Sequence, residues 1–232
     1  MTVGEAWVAA AGTAFTGSHL LMSHPLRRPL VGALGERAFL GVYSLVSFAT
    51  LGLLVWAFLA APATAPLWPV GDGLWAAASA GMLLASLLLV GSLVRNPALP
   101  TGGAPSAAPA TAADVFAVTR HPMMWSVALW ALCHVLIYPV AKNIVLAAFV
   151  GGLALAGSAL QDRKKAQLQP ESWPAWQSVT SFWPFAAVIA GRARLGGFRP
   201  HTWLGGTLLW LAATWAHIPL SGWPAGVWRW LR

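Results

Sequence analysis

The stretch TRHPMMWSVALWALCH, residues 119–134, carries no charged side chain after Arg120, and the apolar run continues to Tyr138. Such a run predicts a membrane-spanning helix, because a segment surrounded by lipid must satisfy its backbone hydrogen bonds within itself. It also contains His121 and His134, and an imidazole is costly in hydrocarbon. A histidine there can bind a metal, transfer a proton, or make an ordinary polar contact. These two residues are therefore the first candidates for a functional site.

The composition of the whole chain agrees with a membrane protein. Of the 232 residues, 58% are hydrophobic and 9% are charged, whereas a soluble domain would carry about 25% charged residues. We predict an all-α, polytopic integral membrane helical bundle with about six transmembrane helices. The predicted spans are residues 5–22, 37–61, 74–94, 122–138, a segment from the turn at 139–143 to about 161, and 202–220. The first is predicted to be a retained span, because it lacks a clear Ala-x-Ala cleavage site.

The basic residues predict the orientation. Three of the 14 lysines and arginines, Lys142, Arg229 and Arg232, fall on one predicted side of the membrane. The other eleven fall on the opposite side: Arg27, Arg28, Arg37, Arg95, Arg120, Arg163, Lys164, Lys165, Arg192, Arg194 and Arg199. The positive-inside rule makes that side cytoplasmic and places both termini outside. The net charge of +8 is then explained by loops that face an anionic leaflet, so the lipid bilayer is the predicted partner and nucleic acid is not.

We predict a single domain over residues 1–232 with two distinctive loops. Residues 97–113 (PALPTGGAPSAAPATAA) lack periodicity and predict a flexible connector. Residues 161–200 form a predicted cytoplasmic loop in which basic residues precede several aromatic ones: Trp173, Trp176, Phe182, Trp183 and Phe185. This mixture is typical of a segment at the lipid headgroup level. A lid over a cytoplasmic-side pocket is the alternative. The only cysteine, Cys133, excludes an internal disulfide.

Six histidines separate into two sets by their predicted depth. The inner set contains His19 and His121, with the boundary residues His24 and His201 as further candidates, and the outer set contains His134 and His217. The 13 residues between His121 and His134 correspond to roughly 20 Å along a helix and a turn of about 140°. These two therefore cannot share one metal. Two imidazoles on one haem iron need similar depths, as His19 with His121 or His134 with His217 would have; ordinary polar contacts remain the alternative.

The start of the fourth span has its own chemistry. Proline at the first helical position fixes the helix start without losing a hydrogen bond. The helix end presents a partial positive charge beside Arg120, which favours a carboxylate or phosphate. A haem propionate or the carboxylate of a methyl-donor cofactor would suit this position. The alternative is that Arg120 only anchors the topology.

Several short motifs, in order along the chain, resemble those of the NnrU family of bacterial membrane proteins. They are His19, LGER (34–37), YSLVS (43–47), RNP (95–97), TRHP (119–122), LWALCH (129–134), DR (162–163) and TSFWPF (180–185). The resemblance runs from about Gly17 to the last span. It implies a multi-pass protein of the bacterial inner membrane and an association with nitric oxide and nitrite metabolism, with membrane protein partners.

The NnrU family is in turn similar to 15-cis-zeta-carotene isomerase, which implies haem b and isomerase or redox chemistry on a lipophilic or small-molecule substrate. Carried over by motif, the haem ligands of that relative fall on His19 and His134, and the Arg-His-Pro histidine on His121. The depths favour other pairs, so the ligand pair stays open among His19, His121, His134 and His217. The relative has a cysteine where this chain has Ala131.

A more distant resemblance is to isoprenylcysteine carboxyl methyltransferases, carried by Arg-His-Pro before a helix, Asp162, and the aromatic segment 176–184. It implies S-adenosylmethionine as an alternative cofactor, with Arg120, His121 and Asp162 around a cytoplasmic pocket. Three functions are therefore expected to compete. They are a haem-b protein with redox or isomerase chemistry, a non-catalytic assembly or sensing protein for denitrification, and a membrane methyltransferase.

Overall fold

The computed structural model describes residues 1–99 and 111–231. Within them the chain is helical and contains no strand. The helices are α1 Val3–Ser23, α2 Arg27–Leu34, α3 Glu36–Ala60, α4 Asp72–Gly91, α5 Val115–Val118, α6 Pro122–Ile137, α7 Ala141–Leu168, α8 Ser172–Val179, α9 Ala186–Ile189 and α10 Pro200–Ser221. A 3₁₀ turn, Gly226–Arg229, follows α10. Most of the predicted flexible connector, residues 100–110, lies outside the described residues.

Each predicted span coincides with a helix. Within the described ranges, three helices, α3, α4 and α7, are long and apolar enough to cross a membrane, and α6 is a shorter apolar helix. The all-helical membrane class is therefore confirmed, whereas six crossings and two outward termini stay predictions. The largest error in the boundaries concerns α7, which ends at Leu168 rather than near 161.

One compact unit contains residues Met1–Val70 and His134–Leu153. Its helix α1 begins with a capping box, in which the Thr2 hydroxyl accepts from the Glu5 amide at 3.2 Å and the Glu5 carboxylate accepts from the Thr2 amide at 2.7 Å. A glycine in α1 permits a close contact with Phe149 within this unit. A Cβ on Gly12 would lie 2.3 Å from Cδ2 of Phe149, so no larger residue fits there without movement.

A buried lysine caps the C-terminal end of helix α3 in the same unit. The Lys142 ammonium donates to the carbonyl oxygens of Phe58 at 3.1 Å and Ala61 at 2.5 Å, and it lies 4.7 Å from the centre of the Phe58 ring. The last carbonyls of a helix lack partners within it and carry partial negative charge. Lys142 therefore caps α3, whereas the sequence predicted only the side of the membrane on which it lies.

The second compact unit contains residues Gly71–Cys133 and Ala154–Arg232. Helices α4 and α10 pack closely in it, because a Cβ on Gly206 would lie only 2.8 Å from Cα of Leu87. Small residues commonly permit such approach between membrane helices. The 3₁₀ turn adds a contact to α4, since the Arg229 guanidinium binds Asp72 at 3.0 Å and lies 4.7 Å from the Trp75 ring.

The hydrophobic core of the second unit is built partly from the predicted interfacial loop. Trp173 and Trp176 are 0% and 1% exposed and pack with Val115, Phe116 and Leu88. The prediction that the aromatic residues of 161–200 lie at the protein surface is therefore wrong for these two tryptophans, which α8 turns into the core. Trp183, at 63% exposed, fits the predicted surface position.

Candidate functional site

The start of α6 is bound to the segment around Phe182. The Thr119 hydroxyl donates to the Phe182 carbonyl at 2.7 Å and the Arg120 amide donates to the Ser181 carbonyl at 2.9 Å. The Trp125 indole, one turn into α6, donates to the Phe182 carbonyl at 2.9 Å. Thr119 is extended, with φ −158° and ψ 153°, and Pro122 opens the helix behind it. The motifs TRHP and TSFWPF thus form one structural element in the second unit.

Asp162, near the end of α7, meets both polar residues of this element. Nε of Arg120 donates to the two carboxylate oxygens at 2.9 and 2.8 Å, and Nη2 of Arg120 also contacts Oδ2. Nε2 of His121 lies 2.7 Å from Oδ1. The side chains of Arg120 and Asp162 are each 12% exposed, and that of His121 is 1% exposed. The three residues form a buried polar cluster, called here the Arg–His–Asp cluster.

Aromatic rings enclose the Arg–His–Asp cluster. The Phe182 ring is 5.7 Å from the His121 ring, edge to face, and 5.9 Å from Cζ of Arg120. The Trp173 ring lies 6.3 Å from that of His121. These rings exclude water, so the charges of Arg120 and Asp162 act through a less polar medium than solvent and are strongly coupled.

The protonation of His121 follows from its partner. A carboxylate bound to a guanidinium is acceptor-only, so Nε2 of His121 carries the hydrogen that Asp162 accepts. Nδ1 is buried and has no hydrogen-bond partner among residues 1–99 and 111–231. The same is true of Nε1 of the neighbouring Trp173. Most buried polar atoms in native proteins are paired, so an unpaired imidazole nitrogen beside an unpaired indole N–H calls for an explanation.

This arrangement can perform acid–base chemistry. A carboxylate that holds one ring nitrogen fixes the tautomer and orientation of an imidazole and stabilises its protonated form. The other nitrogen, Nδ1, can then accept or return a proton. Arg120 balances the charge of Asp162 so that the cluster stays neutral while His121 is neutral. The carboxylate predicted to bind beside Arg120 is, in this structure, the protein's own Asp162.

His19 lies in the first compact unit, half-buried in α1. Its Nδ1 is 2.9 Å from the Phe15 carbonyl, one turn earlier. The ring packs 4.4 Å from that of Phe15 and 5.5 Å from that of Tyr43. Because the carbonyl oxygen can only accept, Nδ1 carries the hydrogen and Nε2 carries the lone pair. This hydrogen bond is typical of histidines that bind metals through Nε2.

His134 and His217 lie in different compact units. The carbonyl of His134, at the end of α6, accepts from the Tyr138 amide and from Nδ2 of Asn143, each at 2.9 Å. Nδ1 of His217 is 2.7 Å from the Ala213 carbonyl, which repeats the arrangement of His19. The described residues contain no group of three or more His, Cys, Asp or Glu side chains that could hold a metal ion. A haem iron needs fewer protein ligands, so this finding leaves the predicted ligand pairs as predictions.

The structure thus brings together Arg120, His121 and Asp162, the set that the methyltransferase resemblance had grouped. No sequence pattern predicted that Asp162 binds both Arg120 and His121. Asp162 stands 41 positions from His121, and apart from the two family resemblances its signal was an acidic residue beside a long apolar run. Asp114, which holds the start of α10, had no such signal.

The sequence model of the family described as "NnrU protein" matches residues 8–225. The chain is 34% identical over 83 residues to the chloroplastic 15-cis-zeta-carotene isomerase of Zea mays. That match covers 35% of this chain and 22% of the relative, or about a fifth of the relative's length. No solved structure matches the chain.

Proposed function

The chain belongs to the NnrU family, and on this premise we propose that it is a haem-b-dependent membrane protein with isomerase-like or redox chemistry on a lipophilic substrate. The proposal places it in the bacterial inner membrane as a multi-pass protein. The observation that carries it is the Arg–His–Asp cluster, in which Nδ1 of His121 has no hydrogen-bond partner within the described part of the chain. The similarity to 15-cis-zeta-carotene isomerase supports the isomerase-like part.

In the proposed mechanism His121 holds and moves a proton at Nδ1. Asp162 fixes the imidazole through Nε2 and stabilises the imidazolium that forms when Nδ1 is protonated. Arg120 keeps the Asp162 carboxylate ionised and positioned by its three N–H contacts. The surrounding rings of Phe182 and Trp173 exclude water, and the half-buried Phe182 offers an apolar surface to a lipophilic molecule.

The surroundings of His19 support its proposed role as a haem ligand. The imidazole is oriented by the Phe15 carbonyl and leaves the lone pair of Nε2 for iron, and its surroundings are aromatic. Haem b supplies one-electron redox chemistry when it is bound. His121 fits less well as an iron ligand, since its Nε2 is held by Asp162. The second iron ligand stays a prediction: His134 is the partner of His19 by motif, and His134 with His217 is a pair that their predicted depths favour.

The test is the absorption spectrum of the full chain purified in detergent after haem loading. We expect a Soret band that His19→Ala removes. His24→Ala is the matched control, because His24 lies five residues away and its Nδ1 is held by the Ser23 hydroxyl at 2.7 Å. A protein that shows no Soret band after loading, or a His19→Ala variant with an unchanged band, contradicts the haem proposal.

Spectra of further histidine variants distinguish the residues that bind iron from the residue that transfers a proton. We expect His121→Gln to keep the Soret band and to lose isomerisation of a cis-polyene probe, followed by chromatography. His134→Ala and His217→Ala identify the second ligand by loss or displacement of the band. If His121→Gln removes the band while His19→Ala keeps it, the proposed roles of the two histidines are reversed.

One observation favours a second candidate. Arg120, His121 and Asp162 do lie together, as the S-adenosylmethionine-dependent methyltransferase hypothesis requires. However, Asp162 already accepts from both Arg120 and His121, so few of its lone pairs remain for a ligand. Calorimetric binding of S-adenosylmethionine, lost in Asp162→Asn, would favour the methyltransferase. A non-catalytic role in denitrification would instead predict that all histidine variants keep normal nitric oxide and nitrite metabolism in cells.

A further inference from the structure

A cavity of about 150 Å³ lies in the second compact unit, and no residue of the Arg–His–Asp cluster lines it. Its walls include Arg95, Asp114, Arg199, Phe116 and Trp176. Arg95 follows the end of α4 and Arg199 directly precedes α10. Because α4 is a helix of membrane-spanning length, we expect its end, and the cavity beside it, to lie near the membrane boundary.

Arg95 and Arg199 have no side-chain ion pair or hydrogen bond with any residue in the described ranges. The carboxylate of Asp114 is engaged elsewhere. It accepts from the Thr202 hydroxyl at 2.7 Å and from the Arg199 amide at 3.3 Å. Asp114 therefore caps the start of α10, where helix partial charge favours an anion, and leaves both guanidinium groups to a ligand.

The backbone is strained on two sides of this cavity. Arg95 has φ 53° and Asp114 has φ 57°. They are two of the three non-glycine residues with positive φ in the described part of the chain. Such conformations are unfavourable for residues with a Cβ, and they are commonly found where a side chain is held for ligand binding. At Arg95 a glycine would be more stable, yet an arginine occupies the position.

We infer that this cavity binds a phosphate group, either that of an anionic phospholipid at the membrane boundary or a soluble phosphate, through Arg95 and Arg199. Guanidinium groups match phosphate oxygens in paired hydrogen bonds. A cavity of about 150 Å³ accommodates a molecule of the size of benzene, which is larger than a water and sufficient for a phosphate with its ester carbons. Phe116 and Trp176 supply the apolar surface that those carbons need.

The test uses native mass spectrometry of the full chain released from detergent micelles. The probes are phosphatidic acid, phosphatidylglycerol, zwitterionic phosphatidylcholine and inorganic phosphate. We expect an anionic probe to bind, and Arg95→Gln or Arg199→Gln to weaken binding about tenfold each, since each removes charge-assisted hydrogen bonds. Arg194→Gln is the matched control, because it removes the same charge five residues from Arg199 without touching the cavity.

The probes distinguish the two sources of phosphate. If anionic lipid binds and excess inorganic phosphate does not displace it, the site belongs to a phospholipid. If inorganic phosphate binds and the same two variants weaken that binding, the site belongs to a soluble phosphate. Equal losses in Arg194→Gln, or no binding of any probe, overturn the inference.

A separate variant keeps the test independent of misfolding. Arg95→Gly relieves the positive φ and removes the guanidinium, so we expect a higher melting temperature together with loss of binding. If Arg95 had only a structural role, the variant would have a lower melting temperature and would bind the probe as before. A lower melting temperature with unchanged binding would overturn the inference.

Discussion

Replacement of Asp162 by asparagine removes the negative charge from the Arg–His–Asp cluster and leaves its size almost unchanged. The Arg120 guanidinium then remains buried without a counter-charge, and Nε2 of His121 competes with it for one amide oxygen. The backbone and the neighbouring aromatic rings need not move. The variant therefore isolates the electrostatic contribution of the carboxylate to folding.

The expected loss is large because the pair is buried. Arg120 and Asp162 are each 12% exposed, and breaking a buried ion pair from one side costs about 3–5 kcal/mol. Asparagine keeps one acceptor, so we expect a loss of about 3 kcal/mol in the free energy of unfolding. The matched control is Asp72→Asn. Asp72 is 71% exposed and its partner Arg229 is 26% exposed, and such a surface pair contributes about 0–1 kcal/mol.

The assay is equilibrium unfolding of the full chain in mixed micelles with increasing denaturing detergent, followed by circular dichroism. If Asp162→Asn costs no more than Asp72→Asn, the reasoning about a buried, coupled cluster is wrong. The double variant Arg120→Met with Asp162→Leu adds a second check. Removal of both charges together should recover part of the stability, since uncharged side chains of similar volume avoid the desolvation of the ions, although His121 still loses its acceptor.

Two further predictions concern the first compact unit. Lys142→Met keeps the length of the side chain but removes two charge-assisted hydrogen bonds to the end of α3, so we expect a loss of about 2–3 kcal/mol in the same assay. A loss below about 0.5 kcal/mol would show that the cap is not needed. Gly12→Ala places a Cβ against Phe149 and should destabilise by about 1–3 kcal/mol. Gly17→Ala, on the same helix with open space around it, should instead be neutral or stabilising by about 0.5–1 kcal/mol; equal effects of the two would contradict the close packing.

Much of the fold could be predicted because bilayer thickness fixes the length and composition of a span. The start of α6 at Pro122 was predicted correctly, since proline suits the first helical position. The end of α7 was not, because the charged sequence after Gln161 resembled a loop. In the structure Gln161 donates to the Ala98 carbonyl at 2.8 Å and Lys165 donates to the Pro97 carbonyl at 3.0 Å. These contacts give the polar turns of α7 protein partners, so the helix continues.

The candidate site could be predicted only in part. Histidine and arginine at the start of α6 were conspicuous, because polar groups are rare in apolar runs. That Asp162 binds both of them depends on a contact across 41 positions of sequence, which no local pattern encodes. No sequence pattern predicted that Nδ1 of His121 lacks a partner among the residues that the structure describes, or that Trp173 and Trp176 are buried. Hydropathy cannot distinguish a tryptophan in the headgroup region from one in the core.

The sequence by itself determined the helical membrane class, the places of the main helices and the short set of polar residues worth attention. It could do so because the backbone in lipid has few ways to satisfy its hydrogen bonds, and because a polar side chain there is costly. Tertiary structure alone decided which of those residues share a site. His121 and His134 both belong to the apolar run 119–134, yet the charged partner of His121 is Asp162 on a different helix, α7. Such pairing depends on how helices pack, and packing is set by shape and by small residues such as Gly206 rather than by hydropathy.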